Sequence, residues 1–190
     1  GHTAALELLV KAGCDVNQSD NGGRTSAYAA AYNGHTAVLE TLLRAGCDVN
    51  QAAKQGATPA CIAVLNGHTA ALELLVKAGC DVNQAAKQGA TPACIAVLNG
   101  HTAALELLVK AGCDVNQATK NGMTPALVAA NKGHTAALEL LVNAGCDVNQ
   151  AMSDGRTPAY AAAYNDQTAA LEHLVKAGCD VNQSRSDGAT

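Results

Sequence analysis

The chain has 190 residues, 48% of them hydrophobic, yet it holds no Phe, no Trp and only 2% aromatic residues. A core of this kind is thin, built from Ala, Leu and Val that let helices approach closely, which excludes an ordinary globule packed round large rings. A net charge of −4 gives no general attraction to nucleic acid or to an anionic membrane, and no apolar run approaches the roughly 18 residues of a membrane span.

The chain opens inside a repeat. Gly1-His2-Thr3 starts a second helix with no first helix before it, so the parent protein is expected to extend upstream, and the lack of a signal peptide says little about targeting. The string Gly-Cys-Asp-Val-Asn-Gln then recurs with its cysteine at Cys14, Cys47, Cys80, Cys113, Cys146 and Cys179, a constant step of 33 residues. Cutting after each Gln gives a partial repeat at 1–18 and full repeats at 19–51, 52–84, 85–117, 118–150 and 151–183. Residues 184–190 begin a further repeat, so that 1–190 reads as a single array cut from a longer one. Repeats 52–84 and 85–117 are identical.

One repeat predicts two short helices and a finger. In 52–84, Thr58 before Pro59 marks a helix start, because a hydroxyl caps the first turn and proline needs no N–H there. This helix covers Ala60 to Asn66 and ends at Gly67, which supplies the left-handed conformation of a helix terminus. Thr69 is expected to cap a second helix from Ala70 to Ala78, stopped by Gly79, with Ala71, Leu72, Leu75 and Ala78 as its buried face. Glu73 and Lys77 stand four apart on the other face, in the favourable order. The remaining Cys80 to Gln84 and the next tip, Lys87-Gln88-Gly89, read as an extended β-hairpin finger. Helices this short are marginal alone in water, so neighbouring repeats must cover each other's apolar faces.

These residues resemble the ankyrin repeat. Thr58-Pro59-Ala60-Cys61-Ile62-Ala63, Gly67-His68, Leu74-Leu75 and Gly79-Cys80-Asp81-Val82-Asn83 follow the motif of that family, and the likeness runs the length of the chain. The resemblance implies an all-α fold, an α-solenoid of stacked helix-turn-helix units with β-hairpin fingers. It also implies a non-enzymatic scaffold that binds partners through a concave groove of finger tips and first helices. The departures are specific. The motif's Leu is Ala at Ala27, Ala60, Ala93, Ala126 and Ala159. Its His, to which the resemblance gives a hydrogen-bonding role between repeats, is replaced by Tyr28, Cys61, Cys94, Leu127 and Tyr160. Ser26 stands where other repeats start the helix with proline, and Asp166-Gln167 replaces Gly-His, placing a side chain where glycine turns more easily.

The eight cysteines read as reduced thiols, in keeping with a cytoplasmic setting. Equivalent positions in stacked repeats lie roughly 8–10 Å apart, beyond the ~7 Å that a disulfide spans between Cα atoms. The six Gly-Cys cysteines occupy a slot the family gives to buried Ala and read as small apolar fillers. Cys61 and Cys94 fall in the first turn of a helix, where a thiol can be acidified and reactive, or can simply fill the slot of the motif's His. No Cys-x-x-Cys pair implies zinc, and His2, His35, His68, His101 and His134, spread at the repeat period, read as ties between turns.

No motif for a cofactor or for catalysis is found: no phosphate loop, no His-Glu-x-x-His, no nucleophile elbow. Carboxylates recurring at each repeat read as a structural ladder, because catalysis needs one converging pocket.

Binding residues are expected where the repeats differ. At the finger tips these are Arg24, Lys54, Gln55, Lys87, Gln88, Lys120, Met123 and Arg156. Late in the first helices they are Tyr32-Asn33, Leu65-Asn66, Leu98-Asn99, Asn131-Lys132 and Tyr164-Asn165. Arg24, Lys54, Lys87, Lys120 and Arg156 form a weakly basic rim whose charge suits a neutral or acidic peptide, and Tyr32, Leu65, Leu98, Asn131 and Tyr164 form a stripe as an interaction surface. Alternatively, Leu65 and Leu98 pack against a neighbouring finger and the lysines are merely solvated.

Two functional classes are open. One is a protein-interaction module using this face. The other is an architectural spacer, spring or filament: both ends are expected to expose apolar faces meant for a neighbour, so that either the native protein continues in both directions or copies stack end to end. The identical pair 52–84 and 85–117 favours a periodic ligand, an uncritical middle section or a structural array, although recent duplication would also explain it.

Overall fold

A computed structural model describes residues 3–183. His2 and the expected new repeat at 184–190 lie outside the described residues.

The described chain is all-α, with eleven helices and no strand. The first helices of the repeats are α2 (Ser26–Tyr32), α4 (Pro59–Leu65), α6 (Pro92–Leu98), α8 (Pro125–Lys132) and α10 (Pro158–Tyr164). The second helices, nine residues each, are α1 (Thr3–Lys11), α3 (Thr36–Arg44), α5 (Thr69–Lys77), α7 (Thr102–Lys110), α9 (Thr135–Asn143) and α11 (Thr168–Lys176). Two compact units divide them, Gly1–Lys87 and Gln88–Thr190. In the first unit α2 packs on α4, α1 and α5 flank α3, and each first helix packs on its own second helix. In the second unit α6, α8 and α10 form one row and α7, α9 and α11 another, joined within each repeat.

Each first helix begins as the sequence predicts. The Thr58 hydroxyl accepts the N–H of Cys61 at 3.2 Å, with Pro59 at the first position. Thr25, Thr91, Thr124 and Thr157 do the same for their helices, and all five threonines are buried. Because a buried hydroxyl without a partner is costly, this cap is both a start signal and a packing element.

The second helices begin one residue earlier than expected. Thr69 lies inside α5, and the cap position belongs to His68, whose side chain makes no capping bond. Ala78, expected on the buried face, is instead the exposed residue just after the helix. Ala71, Leu72 and Leu75 do form that face, fully buried, and each buried Leu contributes about 1.5–3 kcal/mol. Glu73 and Lys77 pair at 2.7 Å on the outer surface.

The fingers are tight turns rather than paired strands. In the second full repeat the N–H of Ala53 donates to Ala57 O and that of Gly56 to Ala53 O. Successive tips in the first unit are joined by single bonds, Lys54 N–H to Gly22 O and Lys87 N–H to Gln55 O. One bond per step makes no ladder. Gly56 holds a φ of +74°, and a Cβ there would lie 3.1 Å from Lys87 N. Only glycine satisfies both the turn and the close approach.

The recurrent Asp-Val-Asn works as a hydrogen-bonded relay. Asp81 Oδ1 accepts the N–H of Asn83 at 2.8 Å, an Asx turn. The side chain of Asn50 accepts the N–H of Asp81 from the next repeat at 2.8 Å. The same bond joins Asn17 to Asp48, Asn116 to Asp147 and Asn149 to Asp180.

Candidate partner-binding faces

In the first unit the last turns of α2 and α4 present Tyr32 and Leu65, 51% and 45% exposed. Leu65 is therefore not covered by a finger. The Tyr32 carbonyl is held twice by the following repeat, by Asn66 Nδ2–H at 3.2 Å and His68 Nε2–H at 3.1 Å. The His68 ring packs over Gly34, where a Cβ would lie 2.7 Å from Nδ1. This histidine does tie turns together, as the sequence implied. Asn33 Nδ2–H caps Ala29 O of its own helix at 2.8 Å. The asparagines expected on the face thus spend their amides on the scaffold.

The rim of the first unit is less basic than its composition indicates. Arg24 pairs with Asp20 at 2.6 Å, and that guanidinium, hydrogen-bonded to the carboxyl, holds Asp20 down at about 2. Lys54, Gln55 and Lys87 are exposed, and among the described residues neither lysine forms an ion pair.

In the second unit Leu98 and Tyr164 are 51% and 77% exposed. The structure brings Leu98, Met123, Asn131, Arg156 and Tyr164 round one groove of about 210 Å³. Met123 differs from the other predicted residues in being half-buried, packed against Leu127, Met152 and Ala161. Tyr160 stacks on Tyr164 with ring centroids 5.9 Å apart. Asn165 Nδ2–H donates to Asn131 Oδ1 at 2.8 Å, an exposed bond that ties the end of α10 to α8. Asn99 caps Ile95 O at 2.8 Å. Lys120 and Gln88 are exposed, with Lys120 N–H on Gln88 O at 2.9 Å, and Gln88 sits at a φ of +68°. Arg156 pairs with Asp154 at 2.8 Å.

The groove also holds Met152 and Tyr160, which were not among the predicted site residues. A signal for Met152 was present: the second position of the repeat reads Asp20, Ala53, Ala86, Thr119 and Met152. Variation at that position matters because its side chain passes under the groove.

All eight cysteines are free thiols. Cys47, Cys80 and Cys113 are buried fillers, Cys146 and Cys179 half-buried, but Cys14 is exposed. Cys61 and Cys94 are buried, and burial pushes both thiols up despite their place at a helix start. Cys61 Sγ–H reaches Gln84 O at 3.5 Å, and Cys94 Sγ lies 3.9 Å from Gln117 O. They supply, as thiols, a helix-to-finger hydrogen bond in the slot of the motif's His. Among the described residues no group of three or more His, Cys, Asp or Glu is placed to hold a metal ion, and no helix is long and apolar enough to cross a membrane.

Short helix pairs at a 33-residue period, joined by finger turns, define a helical repeat protein. The family model of ankyrin repeats, in three copies, matches residues 1–53, 45–119 and 93–185, and the chain belongs to the ankyrin repeat family. Members of this family are in general non-enzymatic protein–protein interaction modules. No curated protein matches the chain.

Proposed function

We propose that this chain binds a partner protein or peptide through the finger and first-helix face of each of its two units. One observation carries the reading: Tyr32 and Leu65 in the first unit, and Leu98 and Tyr164 in the second, stand 45–77% exposed. They stand on helices whose other residues are mostly buried, entirely so on α4. Large apolar side chains held in place by neighbouring backbone bonds are typical binding anchors. The lysines at the tips, Lys54, Lys87 and Lys120, favour a neutral or acidic partner segment. The eight free thiols favour a reducing, cytoplasmic setting.

The test replaces Tyr32, Leu65, Leu98 and Tyr164 together with Ser. The variant should keep its helical circular dichroism and lose capture of a partner that the unaltered chain retains. Retained capture would overturn the assignment of this face.

A second reading, an architectural spacer or filament of copies stacked end to end, draws support from exposed apolar residues elsewhere. Leu8 and Leu9 on α1 are 68% and 57% exposed, and Val175 and Val181 are 52% and 60% exposed. Sedimentation against concentration tests it: rods that lengthen with concentration support stacking, and a constant monomer mass excludes it.

A further inference from the structure

The second unit contains both methionines of the chain, Met123 and Met152, and they meet in one cluster with Leu127. The two identical repeats show what the unspecialised background is: Ala57 and Ala90 at the position of Met123, Ala53 and Ala86 at that of Met152, Cys61 and Cys94 at that of Leu127. At the position of Asn131-Lys132 the background is Leu65-Asn66. About half of the departures from repetition in 118–150 and 151–183, Met123, Leu127, Lys132, Met152 and Tyr160 among them, line a single groove.

That groove has a definite chemistry. Its volume of about 210 Å³ is below the roughly 300–1,000 Å³ of small-molecule sites and is suited to a single anchoring side chain. Its floor is two thioethers, which repack round aliphatic groups of varied shape, and the Tyr160–Tyr164 stack forms one wall. The charged groups that line it are Lys132 and Arg156, with no carboxylate among the lining residues. Arg156 is already paired with Asp154. Lys132 is exposed, at the last turn of α8, and makes no ion pair among the described residues.

We infer that this groove is an anchor subsite for a peptide segment that inserts one large aliphatic side chain, Leu, Ile or Met, over Met123 and Met152 and sets a neighbouring Asp or Glu carboxylate on Lys132. The inference rests on the binding face proposed above and specifies the sequence that its second unit reads. The aliphatic group supplies the buried area, and the carboxylate gives direction along the groove and discrimination between partners.

The two methionines make the groove directly observable. The full chain, labelled with ¹³C at the methionine methyl groups, gives one resonance from each of Met123 and Met152. It is titrated with pools of eight-residue peptides, acetylated and amidated, random except for a central Leu-Glu, Leu-Lys or Ser-Glu. Both methyl signals should shift saturably with the Leu-Glu pool, at least threefold more weakly with Leu-Lys, and not with Ser-Glu. Lys132→Glu, an exposed substitution, should reverse the preference between Leu-Glu and Leu-Lys. Methyl signals that stay still with every pool, that respond equally to Leu-Glu and Ser-Glu, or an unchanged preference in Lys132→Glu, would each overturn the inference. Those results leave the wider face testable, because capture sensitive to Tyr32 and Leu65 would still stand. Loss of the wider face with saturable methyl shifts would leave the anchor subsite alone.

Discussion

The side-chain oxygen of Asn50 accepts the backbone N–H of Asp81 at 2.8 Å, 31 residues further along the chain. Asn50 thus belongs to one repeat and completes the turn of the next. Because Asp81 in turn accepts the N–H of Asn83, the motif Asp-Val-Asn both receives a bond from the repeat before it and closes its own turn. Asn50→Ala should lower stability by about 1 kcal/mol, the usual net worth of one intramolecular hydrogen bond. A urea midpoint that falls with an unchanged slope is the expected result, and an unmoved midpoint contradicts the relay.

Two glycines separate conformation from contact. Gly79 holds a φ of +81° with nothing within 4 Å of a would-be Cβ, whereas Gly56, at +74°, has Lys87 N at 3.1 Å. Gly79→Ala should cost about 1 kcal/mol from left-handed backbone strain alone. Gly56→Ala should cost about 1 kcal/mol more, since the next finger must shift as well. Urea denaturation of the two variants side by side measures the difference, and equal losses would show that the finger contact carries nothing.

Asp166 occupies the left-handed region at a φ of 56°, where the other repeats place Gly34, Gly67, Gly100 and Gly133. Asp166→Gly removes that strain and should stabilise the chain by about 0.5–1 kcal/mol. Thermal unfolding should rise by a few degrees; a fall would mean that the Asp166 side chain makes a stabilising interaction that outweighs its backbone.

Burial foremost, then the adjacent Asp carboxylate, pushes the thiols of Cys80, Cys113 and Cys146 up to about 11. In the unfolded chain a thiol ionises at about 8.5. The raised folded value means that stability is fully present below the unfolded value and is lost as pH rises towards 11, because the unfolded state releases its protons first. The urea midpoint should therefore decline between pH 8.5 and 11, and decline less in Cys80→Ala/Cys113→Ala/Cys146→Ala. Identical declines in both proteins would show that other groups carry the effect. In the same range iodoacetamide should reach exposed Cys14 well before Cys61.

Much of the fold was legible because it rests on local chemistry. Thr58-Pro59 starts a helix in any setting, and the structure places the cap where the sequence does. The second helix began one residue early because His68, not Thr69, takes the cap position, and its ring turns to the preceding repeat instead of the helix end. That choice is made by packing over Gly34 and has no local signature. The fingers read as strands from their extended residues, yet pair by one bond per repeat, which a single repeat cannot reveal. The exposed positions, Tyr32 and Leu65 in the first unit and Leu98 and Tyr164 in the second, were visible because the late first-helix position changes from Tyr to Leu, Asn and back to Tyr along an otherwise fixed scaffold. The groove was less so. Met123 looked like an exposed tip residue and turned inward because Met152, from the next repeat, offers it an apolar partner.

The most direct test of the account is a footprint of the partner by amide hydrogen exchange. With partner bound, protection should rise at the finger tips near Lys54 and Lys120 and at the last turns of α4 and α10, while α5 and α7 stay unchanged. Protection confined to the outer surfaces of α5 and α7, round Glu73 and Glu106, with the tips and first helices unaffected, would contradict it.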